Sequence, residues 1–172
     1  MSLGIEQQGI SDSDPYIKEP SLWSIAMPLE NERKFCIHES KSVEEAFKKV
    51  AEKVLKVEQK YISIGRGFSV RVRKSAEGKS VSYSMTVKKN VSGQVVEIET
   101  RISEADFNRL WPTGFSKVCK FRYLYQGWEI DFFKDSDSNN YLAVAEIEMP
   151  AWQREPRHIP SIIKKHLLYA VP

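Results

Sequence analysis

The sequence is poor in the residues that build most catalytic centres and covalent cross-links. It has only two cysteines, Cys36 and Cys119, and three histidines among 172 residues. Because the two cysteines have no metal-ligand spacing, they predict neither a zinc site nor a disulfide framework, and they are typical of a reducing cytoplasm. The histidines lie outside the charged strands described below, and no nucleophilic triad can be assembled. We therefore expect a cytoplasmic protein whose chemistry depends on other residue types.

Long apolar runs and a strong excess of one charge are absent as well. No stretch approaches the roughly 18 apolar residues that a membrane helix needs. The formal net charge is only +3, which is too small to predict nucleic acid or a membrane surface as a partner. The segment 1–27 is rich in Ser, Asp, Gln and Pro and has no signal-peptide core. We interpret it as a flexible N-terminal arm or expression leader, and 28–172 as one domain.

The rest of the chain has the periodicity of a sheet with flanking helices. Apolar spacing predicts helices over about 42–57, capped by Ser42, over 104–111, capped by Ser103, and over 161–169. About eight strands with hairpin-length connections predict an antiparallel sheet and an α+β, mainly β class. The predicted strands cover about 29–38, 61–64, 68–74, 81–89, 94–101, 118–125, 128–133 and 141–149.

Charges of the same sign recur two residues apart along these strands. Since alternate residues of a strand lie on one face, each pair shares a face and its members repel one another. Ion pairs between neighbouring strands or a bound ion would relieve this repulsion. Salt bridges on an exposed face could explain one such pair, but six in one chain favour a functional site. The pairs are Glu30/Glu32, Arg71/Arg73, Glu97/Glu99, Lys120/Arg122, Glu129/Asp131 and Glu146/Glu148.

A sheet closed into a barrel with this face inward would hold charges around a small ligand. Arg and Lys suit an extended anion with several phosphoryl groups, because Arg binds each group with two donors and Lys adds point charge. The carboxylates would repel that anion unless a hard cation lay between them, and oxygen ligands favour Mg²⁺ or Mn²⁺. The basic candidates are Lys34, Arg71, Arg73, Lys88, Lys120 and Arg122.

Taken in order, these motifs resemble the CYTH superfamily, the triphosphate tunnel metalloenzymes. Glu30-Asn31-Glu32-Arg33-Lys34 is similar to the Glu-x-Glu-x-Lys signature of that family, and the resemblance covers about 28–149. It implies an eight-stranded antiparallel β-barrel, the triphosphate tunnel, that binds triphosphate with one or two Mg²⁺ or Mn²⁺ ions. The further matching motifs are Arg71-Val72-Arg73, Thr86-Val87-Lys88, Glu97-Ile98-Glu99, Lys120-Phe121-Arg122, Asp131 and Glu146-Ile147-Glu148.

The resemblance also implies a role for individual residues. The basic candidates would bind the triphosphate. Tyr61 matches a tyrosine that orients the signature lysine in short bacterial inorganic triphosphatases, so Lys34 and Tyr61 would be catalytic; a packed strand aromatic is the alternative for Tyr61. The implied metal ligands are Glu30, Glu32, Glu146 and Glu148, with Glu99 and Asp131 as further acidic candidates near the metals.

The activity that the resemblance implies is metal-dependent hydrolysis of a linear triphosphate, with inorganic tripolyphosphate as the leading substrate and pyrophosphate and phosphate as products. Class IV adenylyl cyclase and thiamine triphosphatase are alternatives within the fold, and a non-catalytic polyphosphate or nucleotide sensor is an alternative of another class. The expected partner is a small-molecule triphosphate, and a homodimer is one oligomeric state left open. Two departures leave tunnel closure and substrate preference open: Val95 replaces a basic residue of the family, and its C-terminal Trp-x-Gly-x-Glu-Val-Thr and Tyr-x-Asn elements are missing.

Overall fold

The computed structural model describes residues 29–113 and 116–171, so our prediction for 1–27 lies outside the described residues. In these ranges an antiparallel sheet of ten strands carries three helices, and the predicted α+β, mainly β class is confirmed. The helices are α1 (Lys41–Val50), α2 (Glu104–Leu110) and α3 (Ser161–His166). The strands are β1 (Leu29–Glu30), β2 (Glu32–Ile37), β3 (Lys53–Gly65), β4 (Phe68–Glu77), β5 (Ser80–Val91), β6 (Gln94–Arg101), β7 (Val118–Tyr125), β8 (Trp128–Lys134), β9 (Asn140–Glu148) and β10 (Leu167–Ala170).

The strands β1 and β2 are consecutive in the chain but lie towards opposite ends of the sheet. The strand order is β1-β6-β5-β4-β3-β7-β8-β9-β2-β10, and only Asn31 separates β1 from β2. The sheet therefore curls until β6 and β9 flank the same short segment. It is nevertheless not a closed barrel, because the strand breaks at Asn31 and β10 adds to the outer edge of β2. The predicted eight-stranded closed barrel is thus wrong in strand number and in closure, whereas its antiparallel order is confirmed.

Two helix predictions were too long. The first helix ends at Val50 and is capped by Ser40 instead of Ser42, with the Ser40 hydroxyl accepting a bond from the Val43 amide at 3.4 Å. The valines and leucine that follow suit a strand as well as a helix, and pairing with β4 and β7 draws 53–65 into the sheet. The last helix ends at His166, because the next residues pair with β2 as β10. The predicted cap of α2 is confirmed: Ser103 Oγ accepts from the Asp106 amide at 3.0 Å.

The apolar core lies on the outer face of the sheet, between its strands and the helices α1 and α3. Phe47 and Ile163, one from each helix, are fully buried against Trp128, Ile130 and Phe132 of β8. Because side chains alternate along a strand, residues next to these core residues point to the opposite, inner face. That face is therefore free to carry the charges. Among the described residues, no helix is long and apolar enough to cross a bilayer.

A tight turn at Gln126 and Gly127 sets one register that matters for the site. Both residues have positive φ, 51° and 78°, as a two-residue hairpin of type I′ requires. This turn joins β7 to β8 and places Arg122 directly opposite Asp131. An inward-facing cation of one strand thus meets an inward-facing carboxylate of the next.

Candidate functional site

The inner face of the sheet encloses a cavity of about 690 Å³. Every residue predicted for the site lines this cavity except Asp131. Residues from nine of the described strands, β1 to β9, contribute, so side chains far apart in the sequence converge on one space. The charged lining residues are Glu30, Glu32, Lys34, Arg71, Arg73, Lys88, Glu97, Glu99, Lys120, Arg122, Glu129, Glu146 and Glu148.

Five further lining residues were not among the predicted site residues. Glu97 and Glu129 belong to like-charge pairs, so the same period of two could have assigned them to the site. Gln59 shares its strand face with Tyr61, but an uncharged amide carries no charge signal in the sequence. Its Oε1 accepts a bond from Arg73 Nε at 3.4 Å. The other two are Gly127 and Phe133.

Carboxylates concentrate where β1, β2 and β9 meet. Glu32 lies directly opposite Glu148, and Lys34 lies directly opposite Glu146. The Lys34 ammonium contacts the Glu32 carboxylate and lies 3.7 Å from Glu146. Burial, opposed by Lys34, raises the pKa of Glu146. One wall of the cavity therefore presents several carboxylates around a single ammonium group.

Glu30 has the most perturbed carboxyl group of this wall. Burial raises its pKa to about 7, the neighbouring Glu32 carboxyl adds to the rise, and Lys88 opposes it. Lys88 Nζ donates to Glu30 at 2.5 Å and lies 2.8 Å from Glu97. For Glu32, burial is outweighed by bonds with Lys34 and Glu30, so its pKa is lowered. The Glu30 and Glu32 carboxyl groups therefore lie close enough for each to shift the pKa of the other.

The adjoining wall, built from β4 to β6, carries arginines with looser partners. Arg71 lies 3.4 Å from Glu97, and Arg73 lies 3.7 Å from Glu99. Thr86 Oγ1 donates to Glu99 at 2.7 Å. Within the described ranges, the buried Nε of Arg71 has no hydrogen-bond partner. A buried donor normally has a partner, so this N–H is an unsatisfied polar group in the wall of the cavity.

Asp131 lies behind the cations and outside the lining of the cavity. Its side chain is fully buried and accepts bonds from Arg122 Nε at 2.7 Å and Nη2 at 2.6 Å, and also from Lys120. Burial opposes ionisation of Asp131, but the bonds from Arg122 and the charge of Lys120 outweigh it and lower its pKa. The structure thus places Asp131 where it orients two basic side chains, with its oxygens occupied by them.

Tyr61 lines the cavity but does not make its predicted contact. In the described part of the chain, no hydrogen bond joins Tyr61 to Lys34, whose ammonium bonds to Glu32 instead. Tyr61 lies directly opposite Arg71 in the register of β3 and β4. Tyr61 therefore lies next to the wall of β4 to β6 that carries Arg71 and Arg73.

The cavity has more acidic than basic side chains, which is unfavourable for binding an anion. Six basic side chains face seven lining carboxylates, and Asp131 adds an eighth, so the fully ionised site has a net charge of −2. A polyphosphate entering this site needs additional positive charge. Within 29–113 and 116–171, no three acidic, histidine or cysteine side chains are already grouped as metal ligands. The carboxylates bond instead to Lys34 and Lys88.

Comparison with known proteins yields structural likenesses only. No protein-family model matches the sequence, and no curated protein matches it either. A solved structure, the hypothetical protein NE1496, is 24% identical with a TM-score of 0.44, over 82% of this chain and 88% of that one. The PH1012 protein of Pyrococcus horikoshii is 17% identical with a TM-score of 0.48, over 71% and 79%. A Vibrio parahaemolyticus protein provisionally assigned as an adenylate cyclase is 16% identical with a TM-score of 0.45, over 72% and 77%. Similarities of this size carry no chemistry, so what the site can do follows from its own residues.

Proposed function

We propose that the cavity is a triphosphate tunnel in which a linear triphosphate, with inorganic tripolyphosphate as the leading substrate, is hydrolysed to pyrophosphate and phosphate. One observation carries this proposal: six basic side chains and seven carboxylates line a single cavity. Its volume of about 690 Å³ leaves room for an extended anion. The motif order that resembles the triphosphate tunnel metalloenzymes supports the same activity. An enclosed site also agrees with a sheet that curls until β6 and β9 flank the same segment around Asn31.

The carboxylates fit a hard divalent cation by their chemistry. The donors are oxygen atoms without His or Cys, which favours Mg²⁺ or Mn²⁺. The raised pKa of Glu30 and the net charge of −2 are both unfavourable features that a divalent cation would relieve. We assign Glu30, Glu32, Glu146 and Glu148 to hold it. When bound, such an ion supplies positive charge to the phosphoryl oxygens and lowers the pKa of a coordinated water.

The basic residues of the chain would hold the substrate extended and stabilise its charge. Arg122 is held by two bonds to Asp131 and also contacts Glu129 and Glu146, so its guanidinium has a fixed orientation beside the cavity. Arg71 lines the cavity, and its Nη2 lies 3.4 Å from Glu97, a long contact that a phosphoryl oxygen could replace. Lys34 is the cation within the carboxylate wall, and we assign it the stabilisation of charge on the phosphoryl group under attack.

A panel of substrates tests the proposed activity. Purified protein is incubated with tripolyphosphate, ATP or thiamine triphosphate and with Mg²⁺ or Mn²⁺, and phosphate, pyrophosphate and cyclic AMP are measured. We expect phosphate and pyrophosphate from tripolyphosphate in the presence of a metal. Cyclic AMP from ATP would identify a cyclase instead. Tight binding of tripolyphosphate without turnover with either metal would identify a sensor and contradict hydrolysis.

Replacing Arg71 by Ala should raise the KM for tripolyphosphate more than it lowers kcat. Hydrogen bonds to charged groups contribute about 1.5–3 kcal/mol, so we expect KM to increase roughly 10- to 100-fold. Steady-state kinetics with saturating Mn²⁺ measures the effect. Arg66→Ala is the matched control, because Arg66 is exposed in the turn between β3 and β4 and does not line the cavity. Equal KM values for the two variants would contradict the role of Arg71.

A further inference from the structure

Asn31 lies at the corner where the chain changes from one ladder of the sheet to another. On one side, Glu30 pairs with β6 opposite Val95. On the other side, Glu32 pairs with β9 opposite Glu148. Asn31 itself belongs to neither strand. The angle that the chain adopts at this one residue therefore sets how the Glu30 carboxylate approaches those of Glu32 and Glu148.

Three hydrogen bonds hold this corner in place. The main-chain carbonyl of Asn31 accepts from the Met149 amide at 2.8 Å, which extends the pairing of β2 and β9 by one step. The side-chain amide Nδ2 donates to the carbonyl oxygens of Pro150 at 2.6 Å and Gln153 at 2.9 Å. The side-chain amide of Asn31 thus donates two hydrogen bonds to the segment that immediately follows β9, the strand of Glu148.

The segment 150–155 has its own structure and can act as a brace. The Gln153 amide bonds to the Pro150 carbonyl at 2.9 Å, which closes a turn, and Gln153 Nε2 bonds to the Glu155 carbonyl at 2.7 Å. A second tether is exposed: Arg33 Nη2 donates to Glu155 Oε1 at 2.6 Å. Because exposed ion pairs contribute little, the connection depends mainly on Asn31, whose bond to Gln153 is partly buried.

We propose that Asn31 is the positioning residue of the carboxylate wall: by bonding to Pro150 and Gln153 it fixes the corner between β1 and β2 and so keeps Glu30 and Glu32 beside Glu148, the carboxylates that a divalent cation would draw together. The inference rests on the proposed function for the identity of that cation. Asn31 contacts neither the cation nor the substrate in this role, and it acts through the two strands that it connects. Side chains that orient metal ligands from outside the coordination shell typically change metal affinity by roughly 10- to 100-fold.

The test is direct titration of Mn²⁺ by calorimetry into wild type, Asn31→Leu and Arg33→Ala. Leu has nearly the shape of Asn without its donors, and Arg33→Ala cuts only the exposed tether of the same segment. We expect Asn31→Leu to weaken Mn²⁺ binding roughly 10- to 100-fold, whereas Arg33→Ala stays within about threefold. The KM for tripolyphosphate at saturating Mn²⁺ should change little in both. If Asn31→Leu does not fold, Asn31→Ser, whose short hydroxyl cannot reach both carbonyls, takes its place.

The outcomes separate this inference from the proposed function. Wild-type affinity for Mn²⁺ in the Asn31 variants, or an equal loss in Arg33→Ala, would overturn the positioning role. A general loss of structure would lower the melting temperature and raise KM along with the metal constant, which would also count against it. Wild type that binds Mn²⁺ but does not hydrolyse tripolyphosphate would refute the hydrolase and leave the role of Asn31 standing. Wild type that binds no Mn²⁺ would refute both.

Discussion

Glu32→Gln is expected to lower kcat for tripolyphosphate hydrolysis by about 100- to 1,000-fold. Glu32 contacts Lys34 and lies opposite Glu148, so its carboxylate is central to the wall that we assign to the divalent cation. Gln keeps the shape and removes the negative charge. A bound cation supplies several kcal/mol of charge stabilisation in the transition state, and about 3–4 kcal/mol corresponds to this loss of rate. Release of phosphate, measured over a range of Mn²⁺ concentrations, gives the result.

Glu155→Gln makes the same chemical change outside the cavity. Glu155 pairs with the exposed Arg33 and is itself 63% exposed, so its replacement should leave kcat within about twofold. Retention of metal-dependent turnover in Glu32→Gln, at a level near that of Glu155→Gln, would contradict the assignment of the carboxylate wall. The parallel replacement Glu148→Gln tests the same wall from β9, and the same loss is expected.

Asp131→Asn is expected to destabilise the fold more than any surface change. The Asp131 carboxylate is fully buried and pairs with Arg122 and Lys120. An amide there would remove the acidic partner of the buried Lys120 and would leave Arg122 only its contacts with Glu129 and Glu146. Removing one member of a buried charge network costs about 3–5 kcal/mol of unfolding free energy. Urea unfolding measures the loss. Glu45→Gln is the control, because Glu45 is 60% exposed in an ion pair with Lys48, and a change within about 0.5 kcal/mol is expected there.

The stability of Asp131→Asn relative to wild type should also depend on pH, in a direction set by the pKa of Asp131. The pKa of Asp131 is lowered in the folded protein from its ordinary value of 3.8. A carboxyl group of this kind stabilises the fold above its unfolded pKa, and this contribution is lost as the pH falls through the folded pKa. The difference in stability between wild type and Asp131→Asn should therefore be constant above about pH 5 and shrink below about pH 4. A difference that grows on acidification would contradict the assignment.

Much of the site could be predicted from the sequence because its signal is local. Charge pairs such as Arg71 and Arg73 mark a strand face by their spacing alone, and both line the cavity. The same reasoning failed for Val54 and Val57, whose spacing fits a helix and whose branched side chains fit a strand. Pairing with β7, some sixty residues away in the chain, resolved that ambiguity in favour of the strand. Gln59 was not predicted as a site residue, because an uncharged side chain does not contribute to the pattern of like charges.

Short-range chemistry of the chain was enough to name the charged face and its basic and acidic members, since alternation along a strand depends on adjacent residues only. Folding alone chose the partner of each charge. Glu30 meets Lys88 from 58 positions away, Asp131 is withdrawn behind Arg122 and Lys120, and Asn31 bonds to the segment after β9. These contacts depend on the register between distant strands and on the curl of the sheet, and neither can be predicted from the pattern of neighbouring residues.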